Sequence, residues 1–166
     1  NYISNKIPHP AGSETEIQFK GKRGFSSSPK LSYSTTKETL KVEGRVSTNA
    51  ATIDGELRCH GSVIKNISKI NSKSYEVGPT DYTLICDTVK APMTITLPPA
   101  CNNAGRILNI KKVNTDKYNL RSYPIRIKTS EGTIDINDEI LLKTNYASRS
   151  LQSDGENWWI IGSKGT

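Results

Sequence analysis

The sequence predicts an all-β chain: an elongated trimer with an intertwined β stem, followed by a β-sandwich, jelly-roll-like head. Three observations predict it. Apolar residues recur at every second position through much of the chain, the period of a strand with one inward edge. Short apolar runs are separated by clusters of Gly, Pro, Asn and Asp, the residues of tight turns. Hydrophobic residues make up only 34% of the 166 residues. That share is low for a compact monomer of this length and suits thin layers that complete their core against sister chains.

The first 15 residues contain Pro8, Pro10 and Gly12 and keep no period, which predicts a linker. The chain begins at Asn1, and an excised fragment is expected. Residues 16–46 predict a β-hairpin unit: Ile17 and Phe19 alternate with polar residues, as do Leu31 and Tyr33, then Leu40 and Val42. The small polar stretch Ser34–Glu38 supplies the turn between the last two pairs.

Residues 47–72 are expected to form a trimeric β stem and neck. Leu40, Val42, Gly44 and Val46 occupy every second position, and the beat resumes at Ile53, Gly55, Leu57, Cys59, Gly61 and Val63. The intervening Asp54, Glu56, Arg58, His60 and Ser62 are all polar. Glycine weakens an isolated strand, so its recurrence in the inward row fits a place where backbones approach closely, as three chains do around a common axis. A lone strand with one apolar edge cannot bury itself. Val42, Val46, Ile53, Leu57, Cys59 and Val63 are therefore the expected stem core. Val63, Ile67 and Ile70 follow at spacings of four and three, which fits an irregular neck, a continued strand or a short helical turn.

Residues 73–166 predict the head. Tyr82–Asp87, Met93–Leu97, Ile107–Val113, Ile125–Lys128, Ile134–Ile136, Ile140–Lys143, Arg149–Leu151 and Trp158–Ile161 are eight short strand candidates. Turn signals lie between them at Pro98-Pro99, Asn102–Gly105, Ser130–Gly132 and Ser153–Asn157. Regular spacing of short strands points to a sandwich.

The net charge of +7 is spread along the chain, densest at Lys20–Arg23 and Lys111-Lys112. It steers encounters with anionic surfaces and says little about fold. Aromatics are only 7% and are not interleaved with the basic residues, so the sequence has no stacking platform for nucleic acid. No apolar run approaches the roughly 18 residues of a membrane helix. The three cysteines, Cys59, Cys86 and Cys101, cannot all pair within one chain, and reduced thiols are expected. His9 and His60 are the only histidines, and neither stands beside a nucleophile. Asp135, Asp138 and Glu139, like Asp154 and Glu156, sit at turns and form no glycosidase pair. Cys59 and His60 are adjacent, so in a strand they face opposite ways and share no metal ion. Glycine-containing turns lack the strand–loop–helix context of a phosphate loop. Asn66-Ile67-Ser68 matches a glycosylation triplet, which has meaning only in a secreted eukaryotic chain. The expectation is a chain without catalytic chemistry, metal or cofactor.

Two stretches resemble modules of bacteriophage tail fibres and related virion fibre proteins. Gly24–Tyr33 followed by Glu38–Gly44 resembles a small fibre hairpin that leads into a Gly-rich trimeric stem. Asp81–Asp87, Met93–Ala100, Gly105–Lys112, Gly132–Asp135 and Leu151–Trp158 together resemble a β module of fibre tips. The resemblance implies a homotrimeric, adhesive virion part assembled in the host cytoplasm. Its partners would be other virion proteins and a host-surface glycan or protein receptor, without nucleic acid or membrane insertion. It also implies a core tryptophan at Trp158, which leaves Trp159 as the surface candidate. Tyr146, Arg149 and Tyr123 are further candidate rim residues, since aromatic faces and Arg suit sugar stacking and interface contacts. Competing readings are a purely structural virion connector and a monomeric basic module for glycans or nucleic acid.

Overall fold

The computed structural model describes residues 16–21, 24–116, 118 and 122–165. The expected linker, with His9, lies outside them. The chain divides into two compact units, Asn1–Arg58 and Cys59–Thr166.

The first unit contains an antiparallel meander of β1 (Glu16–Gly21), β2 (Gly24–Ser34) and β3 (Thr39–Val42). A hairpin forms across the Ser34–Glu38 turn, with Leu31 opposite Val42 and Tyr33 opposite Leu40. Its turn is closed by Ser34, whose Oγ accepts the Lys37 N–H at 3.3 Å, and by Glu38 in the left-handed region at φ +50°. The opposed pairs stand on one face, where Tyr33, Leu40 and Val42 are all exposed.

Residues 43–66 carry no strand. A strand is defined by pairing, and the alternating row finds none among the described residues. Val46, Ile53, Leu57 and Val63 are 69%, 53%, 68% and 59% exposed, and Cys59 is exposed as well. A Cβ placed on Gly55 or Gly61 would meet nothing within 4 Å. The close backbone approach expected at these glycines is therefore absent from a single chain.

The second unit is a two-sheet sandwich with an unexpected topology. The chain alternates between sheets through β4 (Ile67–Ile70), β5 (Ser74–Glu76), β6 (Thr83–Asp87), β7 (Met93–Leu97), β8 (Ile107–Val113) and β9 (Ile125–Thr129). In one sheet β4, β6 and β8 pair in parallel; in the other β5, β7 and β9 do the same. The result is a coil of three stacked rungs. β10 (Glu139–Leu142) then adds antiparallel to β9, while β11 (Ser148–Ser153) and β12 (Trp158–Lys164) extend the other sheet antiparallel to β8. The sheet orders are β10-β9-β7-β5 and β12-β11-β8-β6-β4.

This arrangement corrects the jelly-roll expectation, because jelly-roll neighbours run antiparallel. The strand positions themselves match closely, except that Ile134–Ile136 forms only isolated bridges to Asn137 and Trp158. Ile67–Ile70 is a strand, one of the forms expected there and not a helical turn, and it pairs in parallel with β6, so the strands of the second unit begin before residue 73. Among the described residues the only helical element is a single 3-10 turn, Ala100–Asn102. No helix among the described residues is long and apolar enough to cross a membrane.

Alternation builds the core. Leu84 and Cys86 of β6, Leu108 and Ile110 of β8, and Leu151 of β11 face Met93, Ile95 and Leu97 of β7 and Ile125 and Ile127 of β9, all buried. Trp158 fills the end of this core, and its Nε1–H donates to Pro98 O at 3.0 Å. The bend from Pro98 to Ala100 is thereby tied to β12. Gly132, at φ +81°, lets the chain pass under this strand; a Cβ there would lie 2.4 Å from Glu156 O.

Two polar devices hold the sandwich. The buried Asp81 carboxylate accepts from Ser68 Oγ (2.6 Å), Tyr75 OH (2.9 Å) and Gly78 N–H (2.8 Å). It thus joins β4, β5 and the turn into β6. Arg106 closes the same corner by donating to Gly78 O and Asp81 O. On the opposite side, Asp135, held at φ +53°, donates its N–H to Trp158 O and accepts the Ile160 N–H at 3.0 Å. This covers the first half of edge strand β12, a place where unpaired backbone would otherwise invite another strand.

Candidate functional site

Register places a groove across the outer face of the five-stranded sheet. Lys69, Ile85, Lys111 and Ser148 are successive partners across β4, β6, β8 and β11. Next to them Asp87 pairs with Val113. Asn71 follows the end of β4, and Tyr146 precedes β11 on the far side. Of these residues Lys69, Asn71, Ile85, Asp87, Val113 and Tyr146 line a hollow of about 480 Å³. That size lies within the roughly 300–1,000 Å³ of small-molecule sites. A second hollow of about 390 Å³ shares Asn71, Asp87 and Thr115 with it and adds Lys73 and Lys90.

Tyr146 forms one wall. Its backbone lies in the left-handed region at φ +63°, a costly place for a residue with a bulky side chain. Lys111 Nζ donates to its carbonyl, and its own hydroxyl reaches Asn114 O at 3.4 Å. The ring remains half exposed. Beneath this loop lies Lys112, fully buried, whose Nζ donates to Ser122 Oγ (2.5 Å), Lys143 O (2.7 Å) and Asn145 Oδ1 (3.2 Å). Burial pulls its ammonium below the usual lysine range. Three acceptors, two of them from the loop that bears Tyr146, fix the wall from below.

The floor is apolar, from Ile85 and Val113. Asp87 stands in it with a carboxylate that accepts Val89 N–H at 3.1 Å and Thr115 Oγ1–H at 2.5 Å. Lys69, Lys73 and Lys90 stand around the rim, and none is in an ion pair among the described residues.

Trp159 belongs elsewhere. It is 42% exposed on β12, and its Nε1–H donates to Asp154 Oδ2 at 2.5 Å, beside Gln152 and Ile161 in a shallow hollow of about 250 Å³. Asp154 also accepts the Glu156 and Asn157 N–H groups at 2.8 and 2.7 Å. The Asn157 amide, the Trp159 indole and the Glu156 amide hold its carboxyl below the usual carboxylate range. Arg149 is half-buried and spent on backbone, donating to Ser148 O and Gly165 O at 2.9 and 2.8 Å. Tyr123 is half-buried, with its N–H on Thr88 O. The four sequence candidates therefore do not converge. Tyr146 and Trp159 line separate hollows, and Arg149 braces the C-terminal end of the sheet.

Neither a protein-family model nor a curated protein matches this chain. The site is read from its own geometry. Among the described residues no group of three His, Cys, Asp or Glu side chains is placed to hold a metal ion. His60 is exposed in the unpaired segment, and Glu139 is in an ion pair with Arg126 at 3.3 Å. All three cysteines are free: Cys59 and Cys101 are exposed, whereas burial pushes the Cys86 thiol up to about 12.

Sequence reasoning missed Asn71, Asp87 and the lysine rim. The signal that would have found them is the parallel register, which brings residues 69, 85 and 111 into one row. Alternation alone cannot reveal it.

Proposed function

We propose that the chain is a non-enzymatic structural and adhesive component of a viral fibre, a tail fibre or capsid fibre, that presents a trimeric head for attachment to a host surface. The uncovered apolar row carries this reading. Val42, Val46, Ile53, Leu57 and Val63 stand at alternating positions, 38–69% exposed, and four of the five lie where no strand of the same chain pairs. Covering each contributes roughly 1–2 kcal/mol, since about half of its surface is still wet. Copies of the same segment are the natural cover: each supplies an identical row, and Gly55 and Gly61 leave room for backbones to meet. The number three comes from the resemblance to fibre modules; the row itself requires only that copies associate.

Attachment follows from multivalency. Three identical weak sites on one particle gain avidity without any new contact. The chain would be assembled with reduced cysteines in the host cytoplasm and function on the virion, joined to other virion proteins.

Light scattering of the full chain tests the assembly. The expected mass is three times the 18.3 kDa of one chain. A monomer at micromolar concentration refutes the stem. Labelled chain on a panel of intact bacterial cells tests attachment: saturable binding supports it, whereas a trimer that binds no cell and instead binds an isolated virion part is a connector.

A further inference from the structure

We infer that the groove between Lys69 and Tyr146 is a saccharide site, and that its ligand is a pyranose carrying a carboxylate, as in a uronic-acid polymer. The inference deepens the adhesive half of the proposed function and relies on it only for the source of the sugar, a host surface.

The groove combines three kinds of surface. A sugar ring has apolar C–H faces, and the half-exposed Tyr146 ring with the Ile85 and Val113 floor offers matching apolar area. Its hydroxyls need acceptors and donors at fixed positions. The Asp87 carboxylate, with lone pairs beyond those used by Val89 and Thr115, and the Asn71 amide stand in the same hollow. The third surface is charge: Lys69, Lys73 and Lys90 against Asp87 give the two joined hollows a net excess of positive charge. A neutral sugar would leave that excess unused, and a ligand carboxylate satisfies it.

Preorganisation separates this groove from the Trp159 hollow. Tyr146 is held in an unfavourable backbone conformation by Lys111 from one side, while the buried Lys112 ties down its loop from beneath. A wall fixed before binding loses little freedom when ligand arrives. Strained, braced aromatic residues concentrate at ligand sites.

The test is calorimetric titration of the full chain with a tetramer of galacturonic acid, alongside neutral maltotetraose as the uncharged control. The acidic oligomer is expected to bind at least about tenfold more tightly at low salt, with the difference shrinking as salt screens the rim. Tyr146→Asn removes the ring but keeps a residue that tolerates the left-handed backbone, so the head still folds; binding of the acidic oligomer is expected to weaken about fivefold or more. Lys69→Gln together with Lys90→Gln should abolish the preference for the charged oligomer. Equal affinity for the two oligomers overturns the anionic class. Undiminished binding by Tyr146→Asn in a head of unchanged melting temperature, or no heat from the acidic oligomer, overturns the site. The mass of the chain in solution is independent of both titrations, so failure of the groove and failure of the trimer are separate results.

Discussion

Asp81 offers the sharpest probe of what holds the head together. Asp81→Asn keeps the shape of the side chain. The amide oxygen can stay with Tyr75 OH and Gly78 N–H while the NH2 group turns to Ser68 Oγ, so the substitution removes charge and leaves the contacts. Three charge-assisted hydrogen bonds, at 2.6, 2.9 and 2.8 Å, become neutral ones. At about 0.5–1 kcal/mol for each, the expected loss is about 2 kcal/mol, or roughly 8 °C in the melting temperature of a domain of this size. The pH dependence fixes the cause. Burial raises the Asp81 carboxyl, but the bonds from Ser68, Gly78 and Tyr75 and the charge of Arg106 outweigh it, and its net position is lowered. A carboxyl lowered in the folded state contributes stability that is present above its unfolded value near pH 4 and is lost as pH falls through the folded one. Both tryptophans lie in the head, so their fluorescence follows its melting directly. The deficit of Asp81→Asn should be largest at pH 7 and shrink as pH falls below about 4 and the native carboxyl takes up its proton. A deficit of equal size at pH 7 and pH 2.5, or one below about 2 °C at pH 7, refutes the role given to the charge.

Gly132→Ala forces a Cβ against Glu156 O at φ +81° and should cost the head more than about 2 kcal/mol in urea unfolding. Gly55→Val meets open space in the single chain, so it should leave head melting unchanged while lowering the concentration-dependent stability of the proposed trimer. Thiol titration of the native chain should modify Cys101 rapidly and Cys86 only on unfolding; Cys59 should be slow if the proposed trimer forms, and fast reaction there would contradict its proposed place in the stem core. Lys112 is lowered by burial, so the unfolded chain binds more protons and native stability should rise as pH climbs from the folded value toward the unfolded one near 10.5, a slope that Lys112→Met removes. Cys86, raised to about 12 from 9.0, acts in the opposite sense above pH 9, so the Lys112 slope is read as the difference between the two proteins, in which the Cys86 contribution is common.

Strand positions were legible because each strand is half-buried, and half-burial writes itself as alternation: Met93–Leu97 and Ile107–Val113 are found with the boundaries the sequence predicts. Trp158 and Trp159 divide as expected, one buried and one exposed. Direction was not legible. A parallel neighbour needs a crossover, and here each crossover is a strand of the opposite sheet rather than a helix, so nothing in the local pattern separates it from an antiparallel meander. The same blindness hid the groove, because its residues come from strands that are neighbours only in that register. β4 and β5 were missed as head strands because they are four and three residues long, too short to show a period. The stem row was legible as a pattern, yet a pattern names a buried edge without naming what buries it.

The three-rung coil also has a consequence for how such a head could change in length. One side is finished by the antiparallel β10, β11 and β12, while the other ends in the short strands β4 and β5. Each rung touches only its neighbours, so the interior is a repeating cross-section rather than a closed shell. A duplicated segment inserted before Ile67 could stack as a fourth rung, extend the Ile70–Cys86 row and lengthen the groove by one strand spacing, about 4.8 Å. The finished side would need no alteration. A head built this way could match longer or shorter ligands by counting rungs.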